Sequence, residues 1–203
     1  GEALHLARLL AGLAPGAAAP KALLALMLHC EARRPARRDR EGRFTPLSEQ
    51  DPALWDRAMV HEAEAWLTAA LAIEPPGRFA LEAAIQSVHA ARARTGRTDW
   101  PALVELYDRL ARAGGGIGAR LAQAAALGEA HGPAAGLDAL AALEAQAADR
   151  LEDHQPYWAT RAHLLSAAGE TGGAEAAFRR AAGLAHDPQV RDFLLRKAAG
   201  RAC

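Results

Sequence analysis

The stretch Trp158-Ala159-Thr160-Arg161-Ala162-His163-Leu164-Leu165, running on through Gly169 to Ala174, Phe178 and Ala181, decides the fold class. Large apolar residues stand at 158, 165 and 178, and alanines at 162, 174 and 181. The small residues let two helices approach, while the large ones fill the gap between them. Gly169 fits the turn between the two helices. A single hairpin of this kind cannot bury its own face, so the chain must stack further hairpins against it.

The same reading holds along the rest of the chain. A second, weaker unit surrounds His131-Gly132-Pro133, and a third pairs the helix ending near Arg94 with the one holding Tyr107. Breaks of Gly, Pro and Asp divide the chain into about ten helical segments, and no stretch sustains strand alternation. Pro15-Gly16 stops the first segment, and Pro35 ends the second at Arg34. Asp51-Pro52 predicts the start of the third, with Asp as N-cap and Pro at the first helical position. Its predicted apolar stripe is Trp55, Met59, Trp66, Ala70 and Ile73, with Glu62 on the same face. The fourth covers about 79–94, with Leu81, Ala84, Ile85 and Val88 at helical spacing, and the fifth opens at Thr98-Asp99. Five more are predicted at about 117–130, 134–150, 157–168, 173–185 and 188–199. Pro35–Glu49 is the longest irregular segment.

Composition agrees. The 203 residues include 54 Ala, the best helix former, and 51% are hydrophobic. Lys+Arg and Asp+Glu are equal at 24 each, which argues against a strongly basic nucleic-acid binder. No apolar run approaches the ~20 residues a membrane span needs. The start lacks the basic head of a secretion signal. It also lacks an initiator Met, which suggests a chain beginning partway through a longer protein, and a cytoplasmic one. Cys30 and Cys203 read as free thiols.

The chemistry-bearing patterns are sparse. His61-Glu62 has Ala65 where a zinc protease needs a second His, and His29-Cys30 are adjacent, so their side chains diverge on a helix. No metal site and no cofactor are expected. Gly114-Gly115-Gly116-Ile117-Gly118 lacks the phosphate-loop pattern and reads as a turn. No nucleophile triad occurs among only three Ser, so no catalytic residue is assigned and the chain does not read as an enzyme. The one concentrated charge feature is Arg33, Arg34, Arg37, Arg38, Arg40 and Arg43, diluted by Glu31, Asp39 and Glu41. It reads as solvated surface or an ion-pairing docking segment. His89, beside an apolar face, reads as a core or groove histidine.

The repeat quoted first resembles the tetratricopeptide pattern. Several further phrases are Ala32-Arg33-Arg34-Pro35-Ala36-Arg37, Gln50-Asp51 leading to Trp55-Asp56-Arg57, Val88-His89-Ala90, and Thr98-Asp99-Trp100 leading to Tyr107-Asp108. With them the chain resembles the C-terminal extension of extracytoplasmic-function sigma factors that carry a tetratricopeptide-like domain. It departs at Leu121-Ala122-Gln123-Ala124, where that family usually has Asn and Arg, and at Cys30, where it has His.

The resemblance implies an all-α superhelix of helical hairpins over residues 1–203. Residues 1–114 would form irregular hairpins and 115–203 tetratricopeptide-like repeats. It implies a regulatory domain acting on transcription initiation, with the sigma domains absent from this sequence. The partners would be those sigma domains or RNA polymerase, with DNA reached only through the absent domains and no membrane. The candidate contact residues are Arg33, Arg34, Arg37, Asp51, Trp55, Asp56, Arg57, His89, Asp99, Trp100, Tyr107 and Arg161. The alternative is a sensing domain, in which an apolar groove lined by Trp55, Trp66, Trp100 and Tyr107 holds a small ligand or peptide.

Overall fold

The computed structural model describes residues 1–200. Cys203 lies outside them, and Cys30 is a free thiol. Apart from one isolated bridge, Arg38 with Phe44, the described residues are helices and turns. The α-helices are α1 (Glu2–Leu13), α2 (Ala18–Ala32), α3 (Arg57–Leu71), α4 (Arg78–Ala90), α5 (Arg92–Thr95), α6 (Trp100–Arg112), α7 (Gly116–His131), α8 (Pro133–Leu151), α9 (Gln155–Ala167), α10 (Thr171–Leu184) and α11 (Pro188–Ala198). None of them is long and apolar enough to cross a membrane.

The expected all-α stack of hairpins is what forms. α2 is the hub of the first half, since alanines and leucines on several sides of it are buried. Leu24 and Leu28 pack with Leu4, Ala7 and Ala11 of α1 and with Ala63 of α3. Ala22 and Ala25 meet Leu67 and Ala70 of α3 and Ala80 and Ala83 of α4. Each buried leucine contributes about 1.5–3 kcal/mol, so this helix carries much of the local stability. α4, α6 and α7 share the next core, through Leu81, Ile85, Leu103, Leu110 and Ala126. Tyr157, Leu164, Leu140 and Leu143 then join α7, α8 and α9. The α9–α10 hairpin closes as its sequence predicted, with Ala162, Leu165, Ala174, Phe178 and Ala181 in one core together with Leu194 of α11. Gly169 takes φ +81° at its turn, a value that favours glycine.

Two boundaries differ from expectation. Asp51 does cap, accepting from the Ala53 amide, but it opens only a 3-10 turn, Pro52–Leu54. The α-helix starts after Asp56, whose carboxylate accepts from the Met59 amide at 3.0 Å. The Asp56 amide is itself held by the Ala32 carbonyl at 2.9 Å, which ties this start to the end of α2. Trp55 therefore lies ahead of α3 rather than on its stripe, and it is buried. The segment predicted as one helix over 79–94 ends at Ala90 and resumes as the single turn α5.

The irregular segment after α2 reaches across to the last helix. Phe44 meets Phe193 of α11 edge-to-face at 5.5 Å, and Glu49 accepts from Lys197 at 2.9 Å. α1 carries a second apolar stripe, Leu6, Leu9, Leu10 and Leu13, that faces outward.

Candidate functional site

The candidate residues divide into three groups, which the structure separates. The first gathers where α2, α4 and α6 meet. Arg33, at the end of α2, is half-buried and donates through Nη2 to Gln86 Oε1 of α4, and through Nε to the His29 carbonyl at 3.4 Å. His89 packs edge-to-face on Trp100 of α6, with ring centroids 6.1 Å apart. Burial raises the pKa of the Tyr107 hydroxyl, and the Arg33 charge opposes that rise. Burial and the charges of Arg33 and Arg92 push His89 down to about 4, so it is neutral near pH 7. Three of the resembling phrases thus meet around one guanidinium.

The solvated-surface reading of the Arg cluster is corrected at Arg33. Its neighbours do stand out in solvent: Arg34 pairs with Glu31 at 2.9 Å, and Arg37 donates to the Cys30 carbonyl at 2.6 Å. Helix geometry is the cause. Arg33 follows α2 directly and turns inward, while the 3-10 turn Arg34–Arg37 carries the next side chains away.

His29 lies beneath this region and is 2% exposed. Its Nε2 is 3.5 Å from Glu64 Oε1, and neither ring nitrogen makes a hydrogen bond. Burial, then the Arg33 charge, pushes it down to about 4; the half-exposed Glu64 does not offset them. An unfolded imidazole titrates near ~6.5. Below that pH the unfolded chain binds a proton that the folded chain refuses. Stability should therefore fall as pH drops from about 6.5 toward 4 and level off below. Replacing His29→Leu should remove about 3 kcal/mol of this fall across the window, read as stability against pH, and leave the part that His89 contributes. A slope unchanged by the substitution would show that other groups set it.

The second group comprises caps and packing residues. Asp51, Asp56 and Asp99 each accept a backbone amide at a helix start. Arg161 donates to the Tyr157 hydroxyl at 3.0 Å and reaches Glu144 at 3.4 Å. That places it on the α8–α9 surface, away from the others.

The third group lines a groove of about 600 Å³ between α3 and the α4–α5 region. Val60 and Glu64 line it from α3, Ala90 and Ala91 from the end of α4, and Trp55 and Pro52 from the segment ahead of α3. Arg57 lines it from the start of α3 and Arg94 from α5. The four aromatic residues expected to share a groove do not share it. Trp55 alone lines this one, Trp66 packs near α1 and α2, and Trp100 and Tyr107 sit in the α4–α6–α7 core.

One organising residue was not read from the sequence. Arg92 of α5 donates to the carbonyls of Leu47, Ser48 and Gln50 at 2.8–3.1 Å, and its guanidinium lies 5.2 Å from the Trp55 ring centroid. It holds the irregular segment against the groove. An Arg among many others carries no local signal for three backbone partners more than 40 residues away.

Compared with known proteins, residues 1–71 match a family of unknown function (DUF6596). That match spans α1 to α3 and includes the Arg-rich segment. Over 184 residues the chain is 35% identical to an uncharacterized protein of Rhizobium meliloti (strain 1021), covering 91% of this chain and 43% of that protein. The chain thus spans less than half the length of that relative. No solved structure matches.

Proposed function

We propose that the chain is a regulatory, protein-binding module of a bacterial RNA polymerase sigma factor, acting in the cytoplasm on transcription initiation. The observation that supports this reading is the convergence of Arg33, His89, Trp100 and Tyr107. Three of the phrases that resemble the sigma-factor extension, far apart in sequence, meet at one junction of three helices. The exposed arginines beside that junction, Arg34 and Arg37, present its positive edge to a partner. The partner would be the sigma domains of the same longer protein or the polymerase itself. The module performs no chemistry of its own in this reading.

The test is a pull-down of this chain against the separately expressed sigma domains of its full-length protein, and against RNA polymerase. Reversing charge at Arg34 and Arg37 together should weaken capture by about tenfold, the scale of one lost charge-assisted contact. Arg33 is left intact, because its bond to Gln86 supports the fold. No capture by either partner would end this reading.

A further inference from the structure

The groove between α3 and α4–α5 is not used by that reading. Its walls are largely apolar, built from Trp55, Val60, Ala90 and Ala91. The guanidiniums of Arg57 and Arg94, which also line it, make no hydrogen bond or ion pair with the described residues. Many exposed arginines elsewhere hold a carboxylate: Arg8 pairs with Glu62, Arg34 with Glu31, Arg78 with Glu82 and Arg180 with Asp153. Two guanidiniums without a counter-ion therefore stand beside this apolar recess. The one carboxylate in the recess, Glu64, leans toward His29 instead.

We propose that this groove binds a small organic acid with an apolar body, its carboxylate held by Arg57 or Arg94 and its body seated against Trp55 and Val60. A guanidinium offers a planar fork that matches a carboxylate in two parallel hydrogen bonds. The volume falls within the ~300–1,000 Å³ of small-molecule sites. A polyanion does not fit as well, because it needs a row of cations, and Glu64 interrupts this one. The proposal stands independently of the sigma-factor reading.

The test uses the chain labelled with ¹⁵N. The indole N–H signals of its four tryptophans are followed while octanoate, phenylacetate and indole-3-acetate are added at neutral pH. The Trp55 signal is assigned from Trp55→Phe. At least one acid should shift it saturably, and its neutral amide should bind about tenfold or more weakly. Replacing both Arg57→Gln and Arg94→Gln should weaken the acid at least about tenfold, and the Lys pair should retain part of the affinity. Arg40→Gln, exposed and not among the residues lining the groove, should change nothing. The proposal is overturned if no acid saturates by about 10 mM, if acid and amide bind alike, or if the double Gln variant binds as the parent does.

Discussion

Replacing Trp55→Ala is expected to destabilise the fold by about 3–5 kcal/mol, the range for emptying a buried aromatic site. Trp55 is 4% exposed and sits where the irregular segment, α3 and α5 come together. Its loss removes packing and also the ring under Arg92, which adds about 0.5–1 kcal/mol. Arg92 would keep its three carbonyl acceptors, but segment 47–56 would lose its packing through the ring and should loosen before the core does. Hydrogen exchange across 47–56 should rise first, and urea unfolding should show the full loss. Trp55→Phe is expected to cost much less. The indole N–H is buried without a partner, so removing it sacrifices no hydrogen bond. A loss for Trp55→Ala below about 1 kcal/mol would mean that the segment repacks without the ring.

Gly136→Val should cost about 2–3 kcal/mol, through overpacking instead of a cavity. Gly136 is buried on α8. A Cβ there would stand 2.7 Å from the Ala124 carbonyl oxygen of α7 and 2.6 Å from Leu164 Cδ2 of α9. A backbone carbonyl cannot swing aside as a side chain can, so the helices must part. Gly128, across the same contact, would press on the Cδ2 tip of Leu164 and otherwise make ordinary contacts. That methyl can rotate away, and alanine gains about 1 kcal/mol of helix propensity over glycine. Gly128→Ala should therefore be close to neutral, with Gly136→Ala between the two. At about 2–4 °C per kcal/mol for a chain of this size, Gly136→Val should lower Tm by roughly 5–10 °C. If Gly136→Val and Gly128→Ala melt together, the Ala124 contact is softer than its geometry implies.

These variants also mark where sequence reading succeeds. The helical class, the α9–α10 hairpin and the opening of α6 at Asp99 were legible, because periodicity, turn glycine and capping are properties of neighbouring residues. The start of α3 was legible only by halves. Asp51 and Asp56 are both good caps, and Pro52 favoured the first. The choice fell to the second, where the Ala32 carbonyl holds the Asp56 amide and Trp55 is buried. α8 departs from helical geometry at Ala147 (φ −151°, ψ 34°) with no Gly or Pro to announce it.

The candidate site was less legible than the fold. The resembling phrases named Arg33, His89, Trp100 and Tyr107, but nothing local distinguished an inward Arg33 from an outward Arg34 and Arg37. That the chain is a stack of helical hairpins was written in its residues, since local conformation and apolar period decide it. Which charges are left without partners, as at Arg57 and Arg94, came from the packing of the helices. So did the meeting of aromatics, as Phe44 meets Phe193 across the length of the chain. Such pairings depend on how whole helices sit in space, and the residues beside each partner carry no trace of them.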